Sequence, residues 1–215
     1  MAPPSKSQID RLGARLRSPG VPSADDLALV QQYIASHGGA LESVRAVVAD
    51  IGYGSTGRLK TIDTLIDKLR RTPLRLSSVQ DLAGARLDAV ADLDDQDRTV
   101  EVLRRRFHDC RVVDRRDTPS NGYRAVHIVA SVHERFVEIQ VRTVLQDLWA
   151  QAFERLADRL GRQIRYGGAP STDHPVDQRA VEALVEFGAE LAVHEQRRQS
   201  LVAGLQRIVQ TLNQA

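Results

Sequence analysis

The apolar positions of the first seventy residues recur at helical spacing, and the chain is punctuated between them. Lys6 to Arg17 is basic, keeps a helical period and stops at Ser18-Pro19-Gly20, so it reads as an arm. Ser23 followed by Asp26 predicts a capped helix through about Ala35, with His37-Gly38-Gly39 as its stop. A third helix is expected from Ala40 to about Ile51, where Leu41, Val44, Val47, Val48 and Ile51 share one face. Tyr53 to Gly57 breaks the pattern. Arg58-Leu59-Lys60 then reads as the end of a short strand or loop, entering a helix from about Thr61 to Arg71 with Ile62, Leu65, Ile66 and Leu69 as its stripe.

Beyond residue 80 the period changes. Ala83 to Val90 and Cys110 to Val113 predict strands on either side of a helix from Arg98 to Phe107. Tyr123 to Val132 and Arg135 to Val141 predict a hairpin turning at His133-Glu134, followed by a helix from Thr143 to Leu160. Residues 164–178 are loop material, and an amphipathic stripe (Val181, Leu184, Val185, Gly188, Leu191, Ala192, then Leu201, Leu205, Ile208, Val209, Leu212) predicts one long helix or two to Asn213. The expected architecture is α+β, a small mixed β-sheet flanked by helices. Its boundaries are an N-terminal helical extension over 1–52, a central domain over 53–163, a loop over 164–178 and a C-terminal helical extension over 179–215. The C-terminal stripe is expected to pack on its own domain or to make a modest dimer contact; the charges Glu195, Arg197 and Arg198 argue against a continuous coiled coil.

Composition narrows the chemistry. The chain has 215 residues, 42% hydrophobic and 27% charged, enough for a real core, while the 4% share of aromatics argues against an aromatic-lined sugar or lipid groove. The net charge is +2, yet the basic side chains are nearly all arginine, with lysine confined to Lys6, Lys60 and Lys68. Arginine forks suit phosphates and bases, although a high-GC genome enriches arginine as well. A single cysteine, Cys110, excludes an internal disulfide. With no long apolar run and no apolar core in the first residues, no membrane and a cytoplasmic address are expected.

Two acids stand out by position. Asp81 precedes the strand that carries Arg86, and Glu138 lies on the strand that carries Gln140 and Arg142. If those strands are neighbours, both carboxylates reach one edge of the sheet and can share a Mg²⁺ ion with phosphate oxygens. Arg58, Lys60, Lys68 and Arg70 surround them in sequence. Lys68 and Arg70, two apart on a helix, fall on different flanks, as cations wrapped around a polyphosphate would. Taken singly, such residues are more often solvated ion pairs, strand positions or satisfied core groups.

Their order resembles the synthetase domain of the RelA/SpoT family. The pieces are Gly57-Arg58-Leu59-Lys60, Lys68-Leu69-Arg70-Arg71, Asp81-Leu82-Ala83-Gly84-Ala85-Arg86, Asn121-Gly122-Tyr123-Arg124-Ala125-Val126-His127 and Glu138-Ile139-Gln140-Val141-Arg142-Thr143. The stretch Asp147-Leu148-Trp149-Ala150 with Glu154 looks like the small stand-alone synthetases. The resemblance implies a nucleotidyltransferase-like fold and an ATP-dependent pyrophosphokinase that makes the alarmones (p)ppGpp from GDP or GTP. It implies Arg58 and Arg86 around the adenine of ATP, and Lys60, Lys68 and Arg70 on its phosphates. Asp81 would bind Mg²⁺, and Glu138 would bind the metal or take the acceptor's proton. Tyr123 would stack on the acceptor base, with His127, Gln140 and Arg142 shaping the acceptor site.

The acceptor loop departs from the family pattern. Members of the family carry a Lys-Asp-Tyr segment and a Pro-Lys pair ahead of Asn-Gly-Tyr; this chain has Asp114-Arg115-Arg116-Asp117-Thr118-Pro119-Ser120. Loss of those lysines fits the toxic branch that pyrophosphorylates the 3′ end of tRNA, with Lys6, Arg11, Arg15, Arg17 and Arg104-Arg105-Arg106 as backbone contacts. An adenosine nucleotide acceptor, giving ppApp, is a further alternative. His108-Asp109 lacks the additional ligands of a hydrolase centre, so no hydrolase activity is expected, and an antitoxin or another enzyme would limit the product. A homo-oligomer is the remaining expected partner.

Overall fold

The computed structural model describes residues 4–171 and 175–214. Seven helices and five strands follow one another among these residues: α1 Lys6–Arg17, α2 Ala24–Ala35, α3 Gly38–Asp50, β1 Ser55–Leu59, α4 Ile62–Arg71, β2 Ala83–Leu87, α5 Leu93–Arg106, β3 Cys110–Asp114, β4 Val126–Val132, β5 Arg135–Val141, α6 Val144–Leu160 and α7 Pro175–Gln214. The strands form one mixed sheet in the order β1-β2-β5-β4-β3. The expected α+β layout is therefore what the chain adopts. β1 runs antiparallel to β2, and β2 runs parallel to β5, with Gly84 opposite Glu138. The strand that Asp81 precedes and the strand that carries Glu138 are thus neighbours.

Contacts divide the chain into two compact units, Met1–Leu87 with Arg106–Arg111 and Ile128–Gln140, and Asp88–Arg105 with Val112–His127 and Val141–Ala215. Strands β3, β4 and β5 contribute residues to both.

In the first unit, Ile9, Leu12 and Leu16 of α1 pack with Val30, Leu65, Leu69 and Leu76 in one apolar cluster. The N-terminal segment is consequently a core helix and not an arm. Two of its four basic residues are engaged: Arg15 pairs with Asp26 at 2.7 Å, and Arg17 donates to the carbonyls of Leu69 and Leu74. The helix forms locally because Ser5 and Gln8 close a capping box at its start. Gly13 lets it approach the short 3₁₀ turn Leu76–Ser78, since a Cβ at Gly13 would stand 2.6 Å from the Leu76 Cβ. Leu76 is fully buried and has no room to retreat. Gly13→Ala is expected to cost about 1–3 kcal/mol of stability, read as a lower midpoint in thermal or urea unfolding.

Gly38 and Gly39 do not stop α2; they form the first turn of α3, and α2 ends at Ala35 with Ser36 as its cap. At the hairpin tip His133 and Glu134 take φ of 49° and 58°, the paired left-handed residues of a tight two-residue turn, as the spacing between strands predicted.

In the second unit, α5 begins at Leu93, five residues earlier than its apolar period suggested. Asp92 accepts from the Asp95 N–H at 2.9 Å and Asp95 accepts from the Ala91 N–H at 3.2 Å, so a polar run supplies the helix start. Trp149, Phe153, Ala157 and Leu160 of α6 form the core with Ile164, and Val181, Leu184, Val185 and Leu191 of α7 pack against it. The first half of the C-terminal stripe therefore packs intramolecularly, as expected. Glu195 is buried, accepts from the Thr143 hydroxyl and the Gln146 amide, and seats α7 against the start of α6. Gln96, fully buried, joins the same network through Gln146 and the Val141 carbonyl, each at 2.8 Å. The expected 164–178 loop is shorter at both ends, because Arg162–Tyr166 is a 3₁₀ turn and α7 starts at Pro175; residues 172–174 lie outside the described residues, as do the first three residues of the chain. No helix among the described residues is long and apolar enough to cross a membrane.

Candidate active site

Asp81 sits two residues ahead of β2, where the Lys60 N–H donates to the Leu82 carbonyl at 2.8 Å and holds the two strand ends together. Lys60 follows β1 directly, and Lys68 comes from the last turn of α4. Their ammonium groups flank the carboxylate, Lys60 Nζ at 2.9 Å from Oδ2 and Lys68 Nζ at 2.7 Å from Oδ1. Burial would raise the Asp81 pKa; the two ammonium charges and their hydrogen bonds outweigh it and hold the carboxyl below the ordinary carboxylate range. Two cations on one quarter-exposed acid leave this cluster net positive, a setting for phosphate oxygens.

Residues that pair across neighbouring strands lie on one face of a sheet. The register places Arg58, Gly84 and Glu138 in one row across β1, β2 and β5, and Thr56, Arg86 and Gln140 in the next. The opposite face is filled by Ala83, Ala85, Val137 and Ile139, all buried, so the row residues turn away from the core. Gly84 leaves a gap in its row: a Cβ there would meet nothing closer than the Glu138 carbonyl oxygen at 3.7 Å. The Gln140 side-chain amide donates to Glu138 Oε2 at 2.9 Å and fixes that carboxylate's orientation.

Arg70, expected with the phosphate cations, is placed differently. It donates to the carbonyls of Ser18 and Gly20, at 3.3 and 3.0 Å, on the other flank of α4 from Lys68. The structure thus brings Lys60, Lys68 and Asp81 together and leaves Arg70 at the turn between α1 and α2.

Tyr123, His127 and Arg142 belong to the second unit and contact one another. The Tyr123 hydroxyl lies 2.8 Å from His127 Nε2 and accepts from Arg142 Nη2 and Nε at 3.1 and 3.3 Å. The Arg142 guanidinium also stands over the Tyr123 ring, 5.1 Å from its centroid. Arg142 is only 3% exposed, and its third nitrogen donates to Asp147 Oδ1 at 3.1 Å. Burial would lower its pKa; Tyr123 and Asp147 outweigh this and raise it, so the guanidinium stays charged. Gly122 carries φ of 84°, and a side chain there would run into Trp149 at 2.7 Å, which is why glycine precedes the tyrosine. Sequence reasoning gave no role to Asp147 or to the Gly84 gap. The signal for the first was its place five residues after Arg142 in the opening turn of α6; the second becomes visible only with the register.

A family model described as "Region found in RelA / SpoT proteins" matches residues 57–156, the span that holds all the candidate site residues from Arg58 to Arg142. A protein of Mycobacterium tuberculosis is 36% identical over 206 residues, covering 90% of this chain and 75% of its own length. The chain belongs to the RelA/SpoT family. The GTP pyrophosphokinase YwaC of Bacillus subtilis is 26% identical over 125 residues, half of this chain and 59% of its own length. Among solved structures, small alarmone synthetase 2 of B. subtilis shares the fold at a TM-score of 0.60 and 21% identity, over 81% of this chain and 98% of that one. Small alarmone synthetase 1 of the same organism does so at 0.54 and 25%, over 79% and 97%. As a RelA/SpoT protein of the small-synthetase type, the chain is a pyrophosphokinase.

Proposed function

We propose that this pyrophosphokinase moves the β,γ-pyrophosphate of ATP to a ribose 3′-hydroxyl, most favourably that of GDP or GTP. The observation that carries the reading is Asp81 held between Lys60 and Lys68, beside a strand row in which Arg58 and Glu138 flank the side-chain-free Gly84. In the reaction the 3′-oxygen forms a bond to the β-phosphorus, the bond from that phosphorus to the α,β-bridging oxygen breaks, and AMP leaves. Glu138, oriented by Gln140, takes the hydroxyl proton. Arg58 and Arg86, in adjacent rows, hold the adenine, and Lys60 and Lys68 neutralise charge on the phosphates. Tyr123 stacks on the acceptor base.

Hard carboxylate oxygens suit Mg²⁺, which takes one or two carboxylates together with substrate phosphates, so Asp81 and Glu138 would hold the ion. When bound, the ion supplies charge neutralisation at the transferring phosphates.

A second acceptor, the 3′ end of tRNA, is favoured by one observation. Arg116, a replacement candidate for the lysines missing from the acceptor loop, is tied to Asp114 at 2.6 Å and to Asp97 at 2.7 Å. A guanidinium so engaged is poorly placed to grip a 5′-polyphosphate, which a tRNA terminus does not present. The basic segment around α1 gives this acceptor less support than its sequence suggested, since Arg15 and Arg17 are occupied within the fold. In that case an antitoxin partner and a cytoplasmic site of action would follow.

Incubation with γ-labelled ATP, Mg²⁺ and either GDP, GTP, ATP or bulk tRNA separates these acceptors. Label in a slow-migrating nucleotide supports the first reading and label in tRNA the second; no transfer to any of them would sink both. Tyr123→Ala is expected to raise the acceptor KM by about tenfold or more while the ATP KM changes little, following loss of base stacking. Equal damage to both constants would count against the stacking role.

A further inference from the structure

Arg142 was expected to touch substrate, yet its three nitrogens are spent inside the protein. Nε and Nη2 reach the Tyr123 hydroxyl, Nη1 reaches Asp147, and the side chain is 3% exposed. Asp147 in turn is held at its second oxygen by the Gln151 amide, 2.7 Å away and one turn further along α6. A guanidinium cannot accept a hydrogen bond, so the Tyr123 hydroxyl oxygen accepts from Arg142, and the same hydroxyl lies 2.8 Å from His127 Nε2. The result is a continuous hydrogen-bonded chain through Gln151, Asp147, Arg142, Tyr123 and His127, in which Arg142 donates both to Asp147 and to Tyr123, and one end is fixed in a helix.

We propose that Asp147 is a positioning residue for acceptor recognition, acting through Arg142 to set the ring of Tyr123. The inference rests on the reading of Tyr123 as the acceptor-stacking side chain. Arg142 works as a strut: it anchors the hydroxyl from one side and lies against the ring, so that the ring's orientation is set before any acceptor arrives. Pre-setting it removes a side-chain ordering cost from acceptor binding. The Asp147 carboxylate is what holds the strut. An amide at that position keeps the shape but not the charge, and the buried guanidinium loses its ionic partner.

The test is a double-mutant cycle on the full chain, with the acceptor that the wild type uses. Asp147→Asn is expected to raise the acceptor KM by about tenfold, the scale of one charge-assisted hydrogen bond, with the ATP KM and the turnover at saturating acceptor within about threefold of wild type. Asp147→Glu, which restores a carboxylate, should recover part of the loss. In a Tyr123→Phe background, which removes the hydroxyl that the strut holds, Asp147→Asn should add little. An undiminished effect in that background, an equal rise in both KM values, or no effect at all overturns the proposal. Wild-type transfer and calorimetric binding of GDP, measured in the same series, report on the underlying reading: a wild type that transfers normally while Asp147→Asn is silent refutes only the strut, whereas a wild type that neither binds nor transfers to any acceptor refutes both.

Discussion

Asp81→Asn is expected to lower pyrophosphate transfer by about a thousandfold or more, because on the proposed reading it removes the carboxylate that would hold Mg²⁺ at the reacting phosphates. The same change leaves Lys60 and Lys68 facing one another without the charge that joined them. For a pair buried in apolar surroundings such a loss would be severe; with about a quarter of these side chains exposed, solvent screening reduces it to about 1–3 kcal/mol. The pH dependence separates this electrostatic cost from a packing defect. The folded-state pKa of Asp81 is depressed, so its contribution to stability is full above the unfolded-state value and is lost as pH falls through the folded one. The gap between wild type and Asp81→Asn in urea unfolding should therefore be constant near neutrality and shrink below about pH 4. Near-normal turnover of the variant at saturating Mg²⁺ would remove Asp81 from the metal site.

Glu138→Gln is expected to reduce transfer by about 10²–10⁴-fold, the scale of a lost general base, with stability within about 0.5 kcal/mol of wild type. The contrast with Asp81 follows from surroundings. Glu138 lies on the partly exposed face of β5, and a glutamine there can still accept from the Gln140 amide. Single-turnover kinetics with pre-bound ATP isolates this step from binding. A variant that loses ATP affinity and keeps its single-turnover rate would identify Glu138 as a donor ligand and not as the base.

Much of this site was legible in the residues. The hydrophobic period gave the strand that follows Asp81 and the strand that carries Glu138, the hairpin turn and the helix after it, since each rests on neighbours within a few positions. The start of α5 was missed because Asp94, Asp95 and Asp97 make it polar, and its capping acids become interpretable only against a known helix end. The fate of Arg70 and Arg142 was equally hidden. A charged side chain reads the same in sequence whether it faces phosphate, a backbone carbonyl such as that of Gly20, or a buried tyrosine.

The sequence by itself determined the family and the α+β class and singled out the two carboxylates as candidates, because these depend on residue type and order. Only the tertiary structure decided that β2 and β5 run side by side, that Gly84 opens the row between Arg58 and Glu138, that α1 is core, and that Arg142 braces Tyr123. Each of these is a contact between residues far apart along the chain. Strand register and burial set such contacts, and neither is encoded in any local stretch of residues.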